Sequence, residues 1–217
     1  NDPSYIPHIQ KDIENVFDES KNKRFQRGKA QRWVFLNDKG SVVGRIAAFY
    51  EDKNQKRWGG WGFYECIDDP NLSKSIIETA ELWLNNHSCE IIQAPINFGS
   101  RDSFWGLLIS SSTLPSYREN YNPKYYQTQI ESLGYNREIE QTTYQITHAT
   151  FQAERFIKIA QRTMGNNSYE YKSLEFSKLS KYVKDFVTIY NEAWAFHEDF
   201  TPITHKELYK EFKEMKP

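Results

Sequence analysis

Apolar residues recur along this chain with two periods, one of three to four residues and one of two, and their order predicts the architecture. Ile9, Ile13, Val16 and Phe17 follow the longer period and predict a helix over 8–17. Residues 18–24 are charged and read as a surface loop or short helix. Residues 31–36 and 41–50 read as strands around Asn37-Asp38-Lys39-Gly40, a strong turn signal, so 31–50 should be an antiparallel hairpin. Residues 51–57 read as a polar loop. The stretch 58–98 then reads strand, helix, strand. Residues 58–67 are aromatic and glycine-spaced, as a strand with a bulge or a close backbone approach would be. Asp69 can cap the following helix and Pro70 suits its first turn. Leu72, Ile76, Ile77, Ala80, Trp83 and Leu84 form its apolar stripe, and residues 90–98 are the second strand. Such a βαβ unit makes its strands parallel, and ligands in such sheets sit beyond the carboxyl ends of the strands, here 65–69 and 97–102.

The small-residue loop 110–113 and an irregular Tyr- and Asn-rich stretch, 115–122, come next. Pro123 starts a helix through Tyr126, Ile130 and Leu133 that Gly134 ends. Residues 142–147 alternate as a strand. Around Ala149 the pattern restarts. Phe151, Phe156, Ile157 and Ala160 share a helical face, 169–176 reads as a strand, and Ser177 is placed to cap a long helix. Thr204-His205-Lys206-Glu207 is a capping box for a last helix. The domain expectation is therefore 1–148 and 149–217. The second segment is a strand and two helices with no strands following. Such an opening normally continues, so the chain is expected to be cut short, or its tail to pack on the first domain or on a second copy.

Composition narrows the classes. The formal net charge is −1 over 217 residues with mixed signs, which gives no support for a nucleic-acid stripe or an anionic-membrane surface, so neither partner is expected. No apolar run approaches the ~18 residues of a membrane span, and no signal peptide is visible, although the chain starts on Asn1-Asp2-Pro3 rather than Met. Cys66 and Cys89 make no disulfide framework and read as core thiols, with a reactive Cys66 as the alternative. The default compartment is the cytoplasm. His8, His87, His148, His197 and His205 are scattered, without metal-ligand spacing, and read as surface or capping residues, so no metal is expected. The 28 Lys and Arg and 29 Asp and Glu are mixed along the chain, and Lys21–Arg27 is too short a basic run to argue for nucleic acid.

The element order is helix, hairpin, strand, βαβ, helix, strand. With a glycine-broken fourth strand and an Asn-Pro…Gly-Tyr helix, it resembles the GNAT superfamily of N-acetyltransferases. More narrowly, Gly44–Ala48, Gly62–Cys66, Pro95–Asp102, Trp105–Leu108 and Tyr121–Tyr126 look like a bacterial family of tandem GNAT-like proteins. The resemblance spans about residues 44–135. It implies an α/β (mixed) fold, a twisted mixed sheet flanked by helices, with a partial second unit of which 168–217 look like the opening. It also implies acyl transfer from acetyl-CoA or another acyl-CoA. Two departures stand out. The family's pyrophosphate loop carries glycines, whereas 67–73 here has none, Pro70 removes one N–H donor, and Asp68 and Asp69 place carboxylates where phosphates would sit. That loop, Asp68 to Ser73, is therefore not expected to bind the cofactor. The position of the family's usual general acid, a Tyr, falls on Ile130.

Glu65 near the carboxyl end of the first βαβ strand is positioned as a general base for an amine, directly or through water. A solvent-facing Glu, or one paired with Arg45, is the structural alternative. Asn97, Arg101 and Asp102 follow the second strand; Arg101 suits a carboxylate or phosphate, and a bracing Arg101–Asp102 pair is the alternative. Trp105, Tyr125 and Tyr126 are candidate substrate contacts, although aromatics at helical spacing also build cores. Two functions follow. One is an acyl-CoA-dependent N-acyltransferase in which this half supplies acceptor-side residues for a small-molecule substrate. The other is a catalytically silent ligand-binding or assembly module. A V-shaped opening between 58–67 and 90–98 would favour the first and a filled gap the second. A homodimer is the expected assembly.

Overall fold

The computed structural model describes residues 5–53, 56–111, 113–147, 149–151, 153–197, 200 and 202–215. Asn1-Asp2-Pro3, part of the 51–57 and 110–113 segments, His148 and the end at Pro217 lie outside them. The chain divides into two compact units, Asn1–Gln141 and Thr142–Pro217.

The first unit is mixed α/β: a four-stranded mixed sheet in the order β1-β2-β3-β4, flanked by helices. Helix α1 (Gln10–Val16) precedes β1 (Gly28–Leu36), which pairs antiparallel with β2 (Val42–Lys53). The turn between them forms as its sequence demands. Gly40 adopts φ +74°, and the Asn37 side-chain oxygen accepts from the N–H groups of Lys39 and Ser41. The described part of the polar stretch after residue 50 is strand: β2 runs on to Lys53 and β3 (Lys56–Cys66) begins at Lys56. Buried Glu51 pairs with Arg24 and Arg27, and Asp52 with Arg57. Helix α2 (Pro70–Asn86) buries Ser73, Ile76, Ile77, Ala80 and Leu84 against the sheet. It leads to β4 (Ile91–Gln93), parallel to β3. Helix α3 (Tyr125–Ser132) ends before Gly134, whose φ is +92°. Trp61 is fully buried, and its indole N–H donates to Tyr135 Oη at 2.7 Å, which in turn donates to Glu81 at 2.6 Å.

Both sequence signals in β3 are present. Arg45 lies opposite Glu65 and Ala47 opposite Gly62, so Phe63 and Tyr64 together face Ile46 as a bulge, with Phe63 at φ +50°. The bulge shifts the alternation, so that Trp61, Tyr64 and Cys66 all face the core shared with α2 and α3. A Cβ on Gly62 would fall 1.8 Å from the Ile96 carbonyl oxygen, so this glycine is where β3 and the segment after β4 touch. The second strand of the βαβ unit is shorter than 90–98. Its ladder ends at Gly60–Gln93, one further bond runs from Ile96 N–H to Trp61 C=O at 2.8 Å, and Pro95 has no N–H to offer.

In the second unit, the strands expected over 142–147 and 169–176 do not form. Alternating residues make a strand only where a neighbour supplies a ladder, and among the described residues none does. Helix α4 (Ala153–Met164) buries no residue. Helix α5 (Leu179–Trp194) starts after Lys178, with no side-chain cap from Ser177. Helix α6 (His205–Glu214) carries the full Thr204–Glu207 capping box. Leu179, Val183 and Leu208 form the core of this helix pair, and the Asn191 side chain bonds both backbone groups of Ile203 at 3.0 Å.

Candidate functional site

The carboxyl end of β3 gathers the titratable groups. Beyond Ile96, β4 no longer follows β3, so the edge of β3 at Cys66 has lost its neighbour. Helix α3 closes that edge. The Cys66 N–H donates to Tyr126 Oη at 2.9 Å, and Tyr125 Oη donates to the Cys66 carbonyl at 2.9 Å. Tyr126 Oη also donates to Glu65 Oε2 at 2.9 Å. The β3–β4 ladder stops short of the carboxyl ends of the strands, and α3 fills the edge left open.

Glu65 is half-exposed and has a second partner: Arg45 Nη2 stands 3.5 Å from Glu65 Oε1. Arg45 Nε is buried and without a hydrogen-bond partner. His8, half-buried ahead of α1, lies edge-on to Phe104 at 4.8 Å and within electrostatic reach of Arg45, Glu65 and Asp12. Burial first, and the Arg45 charge second, hold its pKa below 6.5, so the imidazole is neutral at pH 7. Burial pushes the Tyr126 phenol up, and the neighbouring Glu65 charge pushes it further, so its proton stays on the oxygen. The arrangement is a carboxylate held by a phenol O–H and a guanidinium, with a neutral imidazole beside it. Such a group can take a proton from an amine or hold an ammonium by its charge.

Below this cluster is a buried polar network. Tyr64 Oη donates to Gln129 Oε1 at 3.0 Å and, having one hydrogen, accepts from Ser73 Oγ at 2.8 Å. Burial pushes the phenol of Tyr64 and the thiol of Cys66 up. Both cysteines are free and buried.

Of the candidates named from sequence, the structure brings together Glu65, Tyr125 and Tyr126. The others sit in the loop after β4. Asn97 is buried, with Oδ1 unpaired, and a Cβ on Gly99 would fall 2.6 Å from its Nδ2. Arg101 does not brace Asp102. Its guanidinium lies 5.4 Å from the Trp105 ring centroid, and Asp102 accepts from Ser100. Phe104 links the loop to the cluster through Phe63, with ring centroids 5.7 Å apart. The sequence reading missed His8 as a site neighbour. It stands 57 positions before Glu65, and nothing in its local pattern points there.

The first turn of α2 has no donor to spare. Asp69 Oδ1 accepts from the N–H groups of Asn71 and Leu72, at 2.9 and 3.1 Å, Ser73 N–H donates to the Asp69 carbonyl, and Pro70 has none. Among the described residues, no group of three or more His, Cys, Asp or Glu is placed to hold a metal ion. Among the described residues, no helix is long and apolar enough to cross a membrane.

No family model matches the chain. It is 25% identical over 215 residues to Protein YghO of Escherichia coli K12, covering 96% of this chain and 54% of that protein. It is 24% identical over 224 aligned positions to a bacterial ceramide synthase of Caulobacter vibrioides, covering 99% of this chain and 57% of that protein. The chain thus spans little more than half the length of these relatives. A solved structure named "Putative acetyl transferase from Pyrococcus furiosus" is similar at a TM-score of 0.37 and 12% identity, over 65% of this chain and 82% of that one.

Proposed function

We propose that this chain is the acceptor-side part of an N-acyltransferase that uses an acyl thioester, acyl-CoA, as donor. The observation that carries the reading is Glu65 at the carboxyl end of β3, half-exposed and held by Tyr126 and Arg45 beside a neutral His8. The amine nitrogen forms a bond to the acyl carbon, the C–S bond breaks, and the thiolate leaves. Glu65 takes the proton the amine loses, directly or through one water, and that proton ends on the departing sulfur. The guanidinium of Arg45, half-exposed beside Glu65, is a donor for developing negative charge on the carbonyl oxygen. A ceramide synthase makes an amide of a long-chain amino alcohol, which suggests that class of acceptor here. The cofactor pyrophosphate is expected elsewhere than on Asp68 to Ser73, because the N–H groups of that turn already have acceptors.

One observation favours a silent module instead. Tyr125 and Tyr126 occupy the Cys66 backbone groups that a ligand entering the parted edge would need. An assay separates the two. The whole protein is incubated with acetyl- and palmitoyl-CoA and a panel of amines that includes long-chain amino alcohols. Thiol release that depends on the amine, with the amide identified by mass spectrometry, supports acyl transfer. Thiol release with no amine dependence, or none at all, refutes it in favour of the silent module.

A further inference from the structure

Helix α4 carries no buried residue, yet its sequence is sharply two-faced. Phe156, Ile157, Ala160, Thr163 and Met164 follow the spacing i, i+1, i+4, i+7, i+8, with Ile159 flanking that face. Glu154, Arg155, Lys158, Gln161 and Arg162 repeat the same spacing on the opposite side. Phe156, Ile157, Ile159 and Met164 are all exposed, and Phe151 stacks on Phe156 with ring centroids 5.1 Å apart and planes 9° from parallel. Among the described residues Arg155, Lys158 and Arg162 enter no ion pair. Three cations against one carboxylate give the helix a local excess that the near-zero net charge of the chain hides.

We infer that α4 is an interfacial helix that docks on an anionic phospholipid surface. Twelve residues make a helix of about 18 Å, too short for the roughly 30 Å hydrocarbon core, so it lies in the plane of the interface. Low overall hydrophobicity with a strong segregation of faces is the pattern of such helices, and paired Phe rings suit the acyl boundary. The charge argues for lipid over a second copy of the chain. A second copy's α4 would offer Arg155, Lys158 and Arg162 only the one carboxylate of Glu154, whereas anionic headgroups neutralise all three. The inference stands on this helix and is independent of the acyl-transfer reading.

The test is flotation of the full chain with phosphatidylcholine vesicles and with vesicles containing about a third phosphatidylglycerol. Each Lys or Arg near an anionic surface contributes about a fivefold gain in partitioning, so three give roughly a hundredfold. Binding to anionic vesicles that high salt weakens is expected. Arg155→Glu, Lys158→Glu and Arg162→Glu together should abolish it, and Phe156→Asp with Ile157→Asp should do the same. An environment-sensitive dye on Ile157→Cys should brighten with anionic vesicles, while one on Gln161→Cys should not. Equal response of both dyes, no flotation with anionic vesicles, or flotation unaffected by the charge reversals would each overturn the inference. So would a concentration-dependent dimer in solution that Phe156→Asp dissolves without any vesicle binding.

Discussion

Replacing Tyr126 with Phe removes one oxygen and leaves the packing of the ring intact. That oxygen accepts from the Cys66 N–H and donates to Glu65, and both Tyr126 and Cys66 are buried, at 3% and 5% exposure. A buried N–H left without an acceptor costs about 1–3 kcal/mol. The lost bond to Glu65 adds a few tenths at most, because that carboxylate is half-exposed and water can replace the phenol. The total for Tyr126→Phe is therefore about 1.5–3 kcal/mol. Tyr125→Phe leaves only the Cys66 carbonyl without its donor, on a side chain that is partly exposed, and should cost about 0.5–1 kcal/mol. Urea unfolding of the three proteins, followed by far-UV circular dichroism, reads both numbers, and the slope should not change because no surface is added. A Tyr126→Phe unfolding free energy within about 0.5 kcal/mol of the parent, or a larger loss for Tyr125→Phe, would show that α3 does not close this edge as described.

Gly62→Ala should destabilise by about 3 kcal/mol or more, since the new Cβ would meet the Ile96 backbone oxygen rather than a movable side chain; urea unfolding measures it. The Asp12 carboxyl, bonded by Arg118 and Tyr117, has its pKa held below the ordinary 3.8. The tether is therefore fully present above 3.8 and is lost as pH falls through the lower folded value; hydrogen exchange in α1 should rise there, and Asp12→Asn should remove the pH dependence. Cys66 and Cys89, buried and with thiols pushed up by burial, should resist iodoacetamide at pH 8 in the folded protein and react after unfolding, as intact mass will show.

The parts of the fold that were legible in the sequence rest on local chemistry. Asp69-Pro70 opens α2, Asn37 to Gly40 turns the hairpin, and Thr204–Glu207 caps α6, each because a side chain satisfies a neighbouring backbone group. The glycines and aromatics of β3 likewise pointed to a bulge or a close approach, and both occur. What failed needed a distant partner. Residues 142–147 and 169–176 have the strand pattern without a ladder. The 51–57 charges looked like a loop because Arg24 and Arg27, the partners of Glu51, lie far back in the chain. At the candidate site, a Glu65–Arg45 pair was one of two structural alternatives for Glu65, and the two residues do lie opposite one another on β2 and β3. The placement of His8 was not, because it depends on how the N-terminal segment folds back over Phe104.

The most direct test of the central claim is Glu65→Gln in the whole protein, with amide formation measured across ranges of both amine and acyl-CoA concentration. The substitution keeps the size and one acceptor oxygen, turns the other oxygen into an N–H donor, and removes the charge and the basicity. A positioned general base is worth about a hundred- to ten-thousandfold, so the account predicts a fall of that order in kcat with the KM for acyl-CoA unchanged. Turnover within about threefold of the parent would contradict it and leave Glu65 as a structural partner of Arg45 and Tyr126.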